Sequence, residues 1–134
     1  MNKRTILSFI SVFIFIFIFE WLVHGELMKG MYTATSSLWR PESEMQNYCS
    51  WMMLGQAIFA FMFVRIFAYN YENKGVAEGY RYGALVGLLM AGPTVASYAY
   101  MPVPMSLILC WVIIMVIEGI LAGMLTAKVY ASVG

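Results

Sequence analysis

Charge is scarce in this 134-residue chain: 11% of its residues are charged, less than half the roughly 25% of soluble domains. The few charges gather at the start, in two short connectors and near the end, and the stretches between them carry none. With a net charge of +1 and no long basic run, the clustered Lys and Arg that neutralise phosphates are missing, which excludes nucleic acid as a partner. Cysteine is scarce too. Cys49 and Cys110 have no CxxC spacing and no nearby histidine pair, so neither a zinc site nor a redox motif is indicated; both read as small packing residues, bonded or not. A single histidine precludes bis-histidine haem ligation within the chain. There is no H-E-x-x-H, no glycine-rich phosphate loop, no CxxCH and no Ser/His/Asp ordering. No enzymatic activity, cofactor or metal is therefore expected.

What is present is apolar surface. Hydrophobic residues make up 62% and the mean hydropathy is +0.76, so the expected solvent is a lipid bilayer. From Thr5 to Phe19 there is no charge, and the run continues through Trp21, Leu22 and Val23, nearly enough to cross ~30 Å of hydrocarbon. The alternation from Phe13 to Phe19 would read as a strand in water, but both its faces are apolar and in lipid only a helix satisfies an isolated backbone. Met1-Asn2-Lys3-Arg4 is a basic start, yet no A-x-A site follows the long run, so cleavage as a signal peptide is not expected. A second run spans residues 45–64. Residues 82–117 carry no charge at all, a length suited to two spans, and Met101-Pro102-Val103-Pro104 divides it at a turn.

The expected fold is all-α, one bundle of four transmembrane helices over residues 1–134, with helices at about 5–28, 45–69, 79–99 and 105–130. Lys3, Arg4, Arg65, Lys74, Arg81 and Lys128 fall on one side of it, against Lys29 and Arg40 on the other. Lys and Arg in short loops are held back on the cytoplasmic side, so both termini should be cytoplasmic. Leu38-Trp39-Arg40 reads as an interfacial anchor, and Pro41 with Glu42, Ser43 and Glu44 as a helix start.

Gly79, Gly83 and Gly87 recur every four residues, as do Gly119 and Gly123, which aligns small residues for a close helix neighbour. Gly92-Pro93 should kink the third helix. Glu20 and His24 lie four apart on one face near the far end of helix 1. An ionisable group in the membrane costs some ~2.5–3.5 kcal/mol on insertion scales, so Glu20 should have a polar partner, with His24 the nearest. A hydrogen-bonded pair fixing the helix end is the plainest reading; a proton or cation site and a metal site are the others. Counted from the outer ends of their helices, Glu118 should lie ~12–15 Å from the depth of Glu20 and pair with Arg65 or Arg81. Gln56, mid-helix, suits an interhelical hydrogen bond. Glu20, Gln56 and Glu118 then mark successive depths of a polar path.

A glutamate in helix 1 followed by Leu27-Met28-Lys29 resembles the small multidrug resistance transporters over helix 1 alone. Their essential glutamate lies near the middle of the first span, whereas Glu20 lies late and the rest of their pattern is missing, so their activity is not carried over. The residues His24-Gly25-x-Leu27, Tyr32 and Leu38-Trp39-Arg40 resemble small uncharacterised bacterial four-helix membrane proteins. That resemblance implies the inner (plasma) membrane of a bacterium and brings no function. Two functions are expected: a non-catalytic accessory or structural subunit of a larger membrane assembly, or a small homodimeric proton- or cation-coupled transporter or channel using Glu20 and His24. The partners are the bilayer and either other membrane subunits or a second copy.

Overall fold

The structure is a computed structural model that describes residues 2–133. Its described residues form helices, turns and no strand. Helix α1 (Lys3–Glu20) starts where the Asn2 side chain accepts from the Thr5 N–H at 2.9 Å, and it passes without a break into a π-helical segment, Trp21–Leu27. Thr5, Ser8, Val12 and Ile16, three to four apart, are its buried stripe, while Ile10, Ile14, Phe17 and Ile18 face outward. The alternating aromatic run is thus helical. Short helices α2 (Lys29–Ala34) and α3 (Glu42–Met45) belong to the connector that follows. Three further long helices are α4 (Cys49–Tyr69), α5 (Val76–Ser97) and α6 (Met105–Ser132).

These four long helices run alternately up and down. Around the bundle α4 lies beside α1, α1 beside α6, and α6 beside α5. The Arg4 Nε donates to the Val133 carbonyl at 3.3 Å, so the two ends of the described chain meet at one end of the bundle, here the near end. The core there joins Val12 and Ile16 of α1, Ala60, Phe63 and Val64 of α4, and Ala122 of α6. Gly79, Gly83 and Gly87 of α5 lie against Gly123, Gly119 and Val116 of α6. A methyl group added at Gly83 would overlap the Gly119 carbonyl, and one at Gly87 would come 2.8 Å from the Val116 Cα. Only a residue without a side chain lets these backbones approach so closely.

The turn between α4 and α5 is built around Glu78, whose buried carboxylate accepts from the Glu72 N–H at 2.7 Å and the Lys74 N–H at 2.8 Å. Positive φ at Asn73 (58°) and Gly75 (70°) turns the chain there. Lys74 also pairs with Glu72 at 2.5 Å, which holds that exposed carboxyl below its ordinary range.

Three helical stretches, Lys3–Leu27, Ser36–Tyr69 and Met105–Ser132, are long and apolar enough to cross a membrane. Helix α5, with 22 residues, has the length, but Glu78 and Arg81 in its first turns lower its apolar character. It continues through Pro93 to Ser97. Large apolar side chains point outward along every long helix, among them Trp51, Leu54, Leu85 and Ile113. Lipid explains such a surface and water does not. Cys49 and Cys110 are both free, and Cys49, expected to pack, is exposed at the head of α4.

Candidate functional site

Helices α1 and α6 are antiparallel, and the Arg4–Val133 contact fixes their register. Sixteen residues separate Arg4 from Glu20 and fifteen separate Glu118 from Val133. At 1.5 Å per residue both carboxyls therefore stand about 22–24 Å from the near end. They line the same two adjoining cavities. This corrects the expected separation in depth. Counting from the outer ends misled because α6, at 28 residues, extends well past the level where a minimal span would begin.

The first cavity, about 280 Å³, is lined by Glu20, His24, Tyr32, Trp111 and Glu118, with Ile114 and Met115 as its apolar wall. The second, about 250 Å³, shares Glu20, Met115 and Glu118 and reaches Gln56 on α4 and Val86, Gly87 and Met90 on α5. All four long helices contribute to it. Gln56 and Glu118 each keep one buried side-chain oxygen without a hydrogen-bond partner. A buried acceptor left unpaired costs about 1–3 kcal/mol, so two beside one cavity mark a place that a donor or a proton would fill.

Toward the far end the polar groups continue in a line. His24 Nε2 lies 3.4 Å from Glu20 Oε2, and the opposite ring nitrogen, Nδ1, lies 2.5 Å from the Tyr32 hydroxyl. The Trp111 indole donates to the same hydroxyl at 2.8 Å. Trp39 packs edge-on against both Tyr32 and Trp111 and anchors its own N–H on Thr35 at 2.9 Å. The connector is thus folded over the end of α1, and burial raises the Tyr32 phenol above its ordinary pKa of 10, with the Trp111 hydrogen bond pulling the other way. The π-helical segment lies under this cap, a geometry frequent where function distorts a helix.

The structure brings Glu20, His24, Gln56 and Glu118 together around one connected space. It does not bring the arginines there. Arg65 donates to the Tyr69 hydroxyl at 2.6 Å and lies over that ring, and Arg81 acts on Glu72 at the near end. Glu118 is level with Gly87, six residues farther along α5 than Arg81, which puts Arg81 about 9 Å short. Lys29 is exposed and takes no part. Trp111 is the residue that sequence reasoning missed; it sits 79 positions from Tyr32, and no local spacing announces the contact. Among the described residues no three His, Cys, Asp or Glu side chains converge as metal ligands would. No protein-family model, no curated protein and no solved structure matches the chain.

Proposed function

We propose that this chain is a small membrane transporter that exchanges a proton for a cation at the Glu20–Glu118 pair. The observation that carries this reading is that two carboxyls on antiparallel helices line the same cavities within an apolar bundle. Two like charges there cannot both be left bare at low cost, so the pair holds either a proton or a cation between its oxygens. The two occupants then exclude each other, which is the requirement for exchange. Gln56 offers a neutral oxygen to the same space, and His24 links it to the far end.

The proposal includes four membrane crossings, with the near end and both termini on the cytoplasmic side of a bacterial inner membrane. Helix α5 crosses because its glycine face runs along α6, itself long enough to span. Six of the eight Lys and Arg side chains belong to near-end segments, as cytoplasmic loops require. A reporter fused at the C-terminus is expected to be active only in the cytoplasm. Activity in the periplasm would reverse the topology.

Flux tests the function. In liposomes carrying an internal pH indicator, an inward gradient of alkali cations or of a small organic ammonium should drive protons out through the wild type and not through Glu118→Gln. Equal flux in both, or none in the wild type with any cation, would end the proposal.

One observation favours a second reading, an accessory subunit or self-associating protein. Residues 41–52 are all exposed, and Gly55 has nothing within 4 Å of an added Cβ, so the first turn of α4 and the segment before it have no covering neighbour among the described residues. Purification in mild detergent separates the readings: a larger subunit in fixed stoichiometry supports the accessory role, and a transporting monomer or dimer supports exchange.

A further inference from the structure

Three side chains meet at one atom at the far end of the bundle, the phenol oxygen of Tyr32. Trp111 Nε1 lies 2.8 Å from it and His24 Nδ1 2.5 Å from it. An indole N–H donates and never accepts, so one lone pair of the oxygen is taken by Trp111. The contact with Nδ1 needs one proton between oxygen and nitrogen, which leaves two arrangements. Either the phenol donates to a bare Nδ1, or a protonated Nδ1 donates to the phenol. The other side of the ring decides. Nε2 lies 3.4 Å from a Glu20 oxygen, an ion-pair distance rather than a hydrogen bond, and a carboxylate, which only accepts, favours the proton on the ring nitrogen that faces it. A doubly protonated ring would meet both contacts but leave the phenol proton without an acceptor, so the neutral ring with Nε2–H and a bare Nδ1 is the form that suits Glu20, Tyr32 and Trp111 together. The opposite tautomer would turn a bare nitrogen toward a carboxylate and leave the phenol proton with no acceptor among the described residues.

We propose that Tyr32, held by Trp111, sets His24 as the Nε2–H tautomer and is the outer terminal of a proton path to the carboxyl pair. The path rests on the reading of that pair given above; the tautomer does not. In the transfer, a proton from water at the far end joins the Tyr32 oxygen as the phenol proton passes to Nδ1, and the Nε2 proton passes to a Glu20 carboxylate oxygen. Water loses one proton, Glu20 gains one, and the ring stays neutral with its proton on Nδ1. Exchange with water restores the starting tautomer. The titratable groups around the ring are Glu20 on its own helix, Tyr32 from α2, and Glu118 and Cys110 from α6; α4 supplies only the neutral Gln56. Tyr32 is a positioning residue for His24.

Because the chain has a single histidine, nitrogen-15 labelling of histidine gives one pair of ring signals. In the lipid-embedded wild type at mildly alkaline pH, Nδ1 should resonate as a bare nitrogen and Nε2 as a protonated one. In Tyr32→Phe both should move toward the averaged positions of exchanging tautomers. Trp111→Phe keeps the phenol and should move them less in the same direction. Proton uptake by the pair should become several-fold slower in Tyr32→Phe, with the final number of protons unchanged. A wild-type ring protonated on Nδ1 overturns the tautomer. An unchanged spectrum in Tyr32→Phe overturns the positioning role, and a changed spectrum with an unchanged uptake rate overturns the path. If the wild type takes up no proton at the pair, the transport reading fails and the path with it, while the tautomer is still read directly from the ring.

Discussion

The two ends of the bundle solve different problems. At the near end, Phe67 packs edge to face with Tyr82 and Tyr130 and Tyr130 with Tyr71, while Phe67 and Tyr71 are tilted, and Tyr82 spans from α5 to α4 by donating to the Phe63 carbonyl at 2.5 Å. Helices α5 and α6 touch backbone to backbone along their glycines. At the far end, the first turn of α4 is exposed and the polar groups line two adjoining cavities. The difference teaches that close packing and polar lining are separated along the axis: one end is filled, and the other keeps space beside its carboxyls.

Glycine substitutions give the sharpest test of that separation. Gly83→Leu forces a side chain into the Gly119 carbonyl and should cost about 3 kcal/mol or more, in the range of severe overpacking. In Gly55→Ala at the far end the added methyl meets nothing within 4 Å and should change stability by no more than about 0.5 kcal/mol. Thermal unfolding in detergent measures both, and equal losses would erase the contrast. Tyr82→Phe comes next. It removes the hydrogen bond to Phe63 and should cost about 1 kcal/mol by the same measurement, while leaving proton uptake at the carboxyl pair unchanged.

The smallest effect concerns the cap at the far end. Burial raises the Tyr32 pKa above 10, so the folded cap holds the phenol proton more tightly than the unfolded chain does. Its contribution is fully present below about pH 10, the ordinary phenol value, and is lost as pH rises through the higher folded value. Tryptophan fluorescence from Trp39 and Trp111 should report loosening only in that alkaline range, and Tyr32→Phe should lack the transition.

Much of the fold was legible in the sequence because in lipid the backbone must be helical wherever a long uncharged run occurs. The runs, the Pro102–Pro104 turn and the four-residue glycine spacing were all visible. Whether α5 crosses was less so, since Glu78 and Arg81 dilute its apolar run for a local reason: Glu78 caps the turn before it. At the site, Glu20 and His24 could be paired by spacing alone. The depth of Glu118 could not, because it depends on which end of α6 is level with α1. Arg4 with Val133 sets that register, and a count from the shared near end would have placed the two carboxyls together. Tyr32 and Trp111 meet only through the folding of the connector, which no periodicity encodes.

The central claim is that Glu20 and Glu118 form one site where a proton and a cation compete. It is tested most directly by counting protons released when cations are added to purified protein in weakly buffered detergent. Wild type should release protons as the cation saturates, whereas Glu20→Gln and Glu118→Gln should each release none while unfolding at the wild-type temperature. Release of the same number of protons by either variant and by wild type would show that the pair is not the site.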